Sequence, residues 1–153
     1  MSSNFDALVS ELAATWHNTI PVSEFMQIRP QQFDGEQLTV AAPLAPNINL
    51  HQTMFAGSIY TLLTLTGWGL LWLMQRSHEL HGDIVLADAH IRYLAPVTGA
   101  PVARVSWPGQ DLSPLARGKR VKVTLDVTLW CADKLCAEFS GQYVSLPGAH
   151  KPA

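Results

Sequence analysis

Charge is scarce in this chain. Only 14% of its 153 residues are Asp, Glu, Lys or Arg, where roughly a quarter is usual for a globular domain. The 10 basic and 12 acidic residues leave a net charge of −2. The basic excess that phosphate neutralisation demands of a nucleic-acid binder is therefore missing. Cysteine is almost absent too: Cys131 and Cys136 cannot staple a disulfide-dense secreted scaffold and are expected to be free thiols. No basic stretch leads into an apolar run at the start, so the expected location is the cytoplasm. Neither a GxSxG elbow nor a phosphate-binding GxxxxGK[ST] loop occurs. His78-Glu79-Leu80-His81 lacks the HExxH spacing, so neither metal nor cofactor is expected.

Apolar residues, at 48%, are plentiful. That excludes disorder, and with so little charge it implies apolar surface buried between subunits, in a homodimer or tetramer. From Met54 to Met74 no residue is charged, a length that could span a bilayer. The run is broken by Ser58, Thr61, Thr64, Thr66, Gly67 and Gly69. It is expected instead to be a central helix buried by a sheet, with no membrane span.

The length suits one domain over residues 1–153. Phe5, Leu8, Val9, Leu12, Ala13 and Trp16 follow helical spacing, which places a helix at about 4–19, before Pro21. Strands are expected at about 25–33 and 37–43 around the Asp34-Gly35 turn. The central helix follows at about 53–77, then strands at about 84–94, 102–107, 120–131 and 135–146. In the later strands apolar and polar residues alternate. Val121, Val123, Leu125, Val127, Leu129 and Cys131 share one face, and Leu135, Ala137, Phe139, Gly141 and Tyr143 share another. Ala87, Ala89, Ile91 and Tyr93 oppose Asp88, His90 and Arg92. One helix alone is apolar enough to fill the inner face, so the economical α+β solution is a curved antiparallel sheet wrapped around it. Keeping odd residues inward in both final strands requires an odd loop or a bulge. Cys131 and Cys136 would then point to opposite faces.

The segment Asn49-Leu-His-Gln-Thr-Met-Phe-Ala-Gly-Ser58 enters that helix through small residues. Exposed amides at a helix start are a ready site for a carbonyl oxygen or oxyanion, and small side chains let a substrate approach them. The structural alternative is a tight junction packed on the sheet.

Here the sequence resembles a known family. NLHQTMFAGSIYTLLTLTGWGLLW followed by IVLADAHIRYLAPVTG is similar to the YiiD C-terminal putative-thioesterase family of hotdog-fold proteins, over about Phe5 to Leu146. The resemblance implies a hotdog fold and an enzyme hydrolysing an acyl-CoA or acyl-carrier-protein thioester. It places the thioester carbonyl on the amides of Ala56 and Gly57, with Phe55 and Ser58 touching substrate. Asn49 would orient water or substrate. Relatives often read His-Gly-Thr where this chain has His51-Gln52-Thr53, and Gly at Ala56; an amide donor survives the latter change. Many carry Asp or Glu where this chain has Thr64. A hydroxyl is no base at neutral pH but can hold a water, leaving His51, Asp88 or His90 as base candidates, His51 first. The family's acetyltransferase fusions have no counterpart here, since that domain's motif is missing.

Arg117, Lys119, Arg120 and Lys122 form the basic cluster. The resemblance suggests that Arg117, Lys119 and Arg120 hold coenzyme A phosphates; a solvated turn reads equally well. It also implies dimers formed through the third strand. The missing helix carboxylate keeps a silent acyl-thioester binding module open, and a hotdog dehydratase or hydratase stands third.

Overall fold

A computed structural model describes residues 3–148. The chain runs through α1 (Ser3–Thr19), α2 (Pro21–Phe25), β1 (Arg29–Phe33), β2 (Gln37–Ala41), α3 (Ala56–Ser77), β3 (Asp83–Tyr93), β4 (Val102–Ser106), β5 (Val121–Cys131) and β6 (Lys134–Leu146). Short 3-10 turns lie at Ala45–Asn47 and Ser113–Arg117. The six strands form one sheet in the order β1-β2-β4-β5-β6-β3, every neighbour antiparallel. It curves around α3, the hotdog arrangement that the resemblance implies, with α1 added against β1 and α3.

Apolarity on nearly all sides makes α3 the core. Leu62, Leu63, Leu70, Leu71 and Leu73 are fully buried, facing Leu125, Val127, Leu129, Phe139 and Tyr143 from the sheet in the same cluster. The helix is long and apolar enough to cross a membrane, yet 67% of its most apolar window is buried inside the fold. Gly69 lets α1 close on it: a Cβ there would meet Trp16 at 2.8 Å and Leu12 at 3.1 Å.

Three local readings are corrected. Residues 21–25 are helical, because Pro21 takes the first helical position, where its missing N–H costs nothing; β1 begins only at Arg29. The central helix starts at Ala56 rather than Thr53, for reasons given below. In β3 the register shifts between Leu86 and Asp88, so the residues packed on the core are Ile84, Leu86, Ala89 and Ile91, while Ala87 is exposed. A bulge reverses the parity of every later side chain.

A bulge also joins β5 to β6. Ala132 and Asp133 make a two-residue turn, and the register shifts so that Leu129 pairs with Ala137 and Trp130 with Leu135. Both thiols are free. Cys136, the residue skipped by the pairing, is fully buried in the core rather than on the outer face, with Cys131 packed beside that core.

Candidate functional site

The approach to α3 is built from side-chain hydrogen bonds. Asn47, 2% exposed, donates from Nδ2 to the carbonyls of Met26 (3.0 Å) and Pro43 (2.9 Å), and its own carbonyl accepts the Phe55 N–H. Asn49 then closes a turn on itself. Its Oδ1 accepts from the amides of His51 (2.8 Å) and Thr53 (3.2 Å), and its Nδ2 donates to Thr53 Oγ1 (3.0 Å). Thr53 is thereby spent on the loop. Met54 is fixed from the other side by its N–H, which donates to the Val97 carbonyl.

Phe55 caps α3 from an extended conformation with no side-chain capping bond. Among the described residues the amides of Ala56, Gly57 and Ser58 have no acceptor in the chain. These are the orphan donors of a helix start, carrying the positive end of the helix dipole. Gly57 lets the Phe55 ring lie against the helix start: a Cβ there would lie 2.5 Å from that ring and push it aside. Ile48, Leu50, Phe55, Tyr93 and Leu94, all large apolar residues exposed to solvent, belong to the loop and strand end that frame this turn.

Two turns further in, Thr64 is half-buried and its hydroxyl is shielded from solvent without a hydrogen-bond partner. Its helix companions are satisfied, Thr61 by the Gly57 carbonyl (2.9 Å) and Thr66 by that of Leu62 (2.7 Å). The Thr64 carbonyl accepts the Tyr143 hydroxyl at 2.7 Å. Seven residues of helix put Thr64 about 10 Å along the axis from Gly57.

Other candidates lie elsewhere. His51 is exposed on the loop beside the first turn. Asp88, His90 and Arg92 point outward from β3, across the sheet from α3; Arg92 sits 3.8 Å from Glu138. His90 and Arg92 line a hollow of about 360 Å³ with Asp126, Thr128 and Ser140. Arg117, Lys119 and Arg120 are exposed beside the opposite end of α3, where Val121 pairs with Ser145 and Ser145 bonds Gln75. Twenty-two residues of helix separate them from the Ala56 turn by about 30 Å. One chain therefore does not bring the basic cluster and the free amides together.

Sequence reasoning missed Tyr93. Its hydroxyl donates to the Ala56 carbonyl at 3.0 Å, tying the end of β3 to the first turn of α3. Burial, and secondarily Tyr60, raise the phenol above its ordinary 10.0, so it is a donor at neutral pH. An alternating strand pattern carries no sign of such a bond.

Comparison with known proteins gives the chain's family. The family model described as Putative thioesterase (yiiD_Cterm) matches residues 9–147. The chain belongs to this family. Among solved structures it is similar to the putative thioesterase from Shewanella oneidensis, with a TM-score of 0.91 and 65% identity over 93% of this chain and 99% of that one. A protein of unknown function from Chlorobaculum tepidum TLS gives a TM-score of 0.84 at 28% identity, covering 94% and 96%. A thioesterase from Haemophilus influenzae shares the fold, with a TM-score of 0.74 at 14% identity over 94% of both chains. The chain is thus a thioesterase-like hotdog protein of the yiiD_Cterm family.

Proposed function

We propose that this yiiD_Cterm-family protein hydrolyses an acyl thioester carried by coenzyme A or an acyl-carrier protein. The observation that carries this reading is the uncapped first turn of α3, with its unpaired Ala56 and Gly57 amides. Donors fixed before the reaction stabilise charge on a thioester oxygen without reorganising as it develops. The apolar residues around the turn suit an acyl chain. Asn49 holds the entering loop, and the unpartnered Thr64 hydroxyl is free to bond a water. His51, exposed beside the turn, is the candidate base. Phe55 and Ser58 flank the amides as substrate contacts.

The separation of amides and basic cluster favours a homodimer. β3 is a free sheet edge of 11 residues, and beside its bulge and its charged Asp88 and Arg92 it still leaves unpaired backbone groups open to another strand. Tyr93 lies at the α3 N-terminal end and Ile84, whose carbonyl accepts the Trp68 indole N–H, lies further along α3. Antiparallel pairing of two β3 strands would bring the C-terminal end of one α3, with its Arg117, Lys119 and Arg120, toward the free amides of the other. Those cations would meet the carrier's phosphates. Two free thiols fit a cytoplasmic setting.

The test is steady-state hydrolysis over a panel of acyl-CoA and acyl-carrier thioesters, with Asn49→Ala and His51→Ala alongside. Saturable turnover that collapses in Asn49→Ala is expected. Binding of acyl-CoA without turnover would favour the second reading, a silent acyl-thioester binding module, for which the absence of a carboxylate at Thr64 is the supporting observation.

A further inference from the structure

The carbonyl that Tyr93 bonds is half of a peptide group whose other half is the Gly57 N–H. A peptide is a conjugated plane, so a donor on its oxygen draws electron density from its nitrogen. The N–H becomes a stronger donor; in hydrogen-bonded chains this reinforcement is about 10–30% per bond. The Ala56 oxygen has two lone pairs, one directed to the helical N–H of Tyr60 and one left for the phenol. We propose that Tyr93 is a positioning residue that fixes and polarises the Ala56–Gly57 peptide, so that the Gly57 N–H is aimed and strengthened for the thioester oxygen. The inference rests on the thioesterase reading above and adds to it a residue from the edge strand.

The setting argues for this role over simple bracing. Tyr93 is 48% exposed, where a hydrogen bond competes with water and adds little to folding stability. The rest of the loop is already pinned by Asn47, Asn49 and the Met54–Val97 bond. What the phenol adds is confined to one peptide group. Because oxyanion charge appears only in the transition state, strengthening that donor acts on kcat and leaves KM alone.

The experiment compares the full-length protein with Tyr93→Phe by steady-state kinetics, thermal melting and the ¹⁵N shift of the Gly57 amide. Expected are an unchanged melting temperature, an upfield move of the Gly57 nitrogen, and a kcat lowered about threefold to tenfold at constant KM. That loss is smaller than the roughly hundredfold or greater cost of deleting a whole oxyanion donor. An unmoved Gly57 resonance would overturn the inference, and so would a raised KM with kcat intact. If the wild-type protein hydrolyses no thioester in the panel, the thioesterase reading fails. The Gly57 resonance then decides the polarisation by itself: moved in Tyr93→Phe, it stands; unmoved, it falls.

Discussion

On the proposed site, Thr64 sets folding against function at a single residue. A hydroxyl removed from solvent without a partner costs about 1–3 kcal/mol relative to a satisfied one, and no neighbour among the described residues repays it. Thr64→Val keeps the shape and removes the orphan. It is expected to raise the unfolding free energy by about 1 kcal/mol in a denaturant titration while lowering thioester turnover. A gain in both would remove Thr64 from the site. Asp34 offers a pH-dependent case. The Gln37 amide first, and the Glu36 amide second, donate to its Oδ1 at 2.7 and 2.9 Å and hold the carboxyl below its ordinary 3.8. A lowered folded pKa stabilises the fold above the unfolded value and ceases to do so as pH falls through the folded one. The melting-temperature gap between wild type and Asp34→Ala should therefore be widest at neutral pH and narrow as pH falls through the lowered folded pKa.

Elements here are fitted to one another by what they leave out. α1 reaches α3 only because Gly69 has no side chain, and Trp16, Leu12 and Leu38 fill the space a Cβ would occupy. Gly69→Ala improves helix propensity but overpacks this contact. A net loss of about 1–3 kcal/mol by chemical denaturation is expected. Tyr143 plays the complementary part on β6: fully buried, it satisfies its hydroxyl on the Thr64 carbonyl and packs where Gly67 leaves room. Burial holds that phenol well above its ordinary range, so it stays a neutral donor. Alternation in β5 was legible because it runs without a break from Val121 to Leu129, before the register shift at Trp130. In β3 it was not, because nothing in Leu86-Ala87-Asp88 announces the extra residue that turns Ala87 outward.

For the molecule as a whole the decisive feature is the free edge of β3. Val85, 47% exposed, can take a charge without disturbing the core, whereas a Lys on an edge strand opposes its pairing with another strand. On the proposed β3-paired homodimer, Val85→Lys is expected to keep its melting temperature at low concentration and to shift the protein to monomers by light scattering. It should also weaken coenzyme A binding at least tenfold, because the basic cluster and the free amides would no longer meet. Monomers that bind coenzyme A as tightly as wild type would remove the second copy from the site.

Composition and periodicity determined the architecture: an uncharged helix that only a sheet could bury, strands with one apolar face, and the DG turn. These are readable because burial acts on every residue of an element, so the signal repeats along it. Similarity of Asn49 to Ser58 to a family pattern located the entry to the helix. Tertiary structure decided the rest. It moved the helix start to Ala56 because Asn49 and Asn47 bind the loop first. It left the Thr64 hydroxyl without a partner, set the basic cluster at the far end of α3, and bonded Tyr93 to Ala56 across 37 residues of sequence. Each of these depends on single contacts between distant residues, which no repeating pattern records.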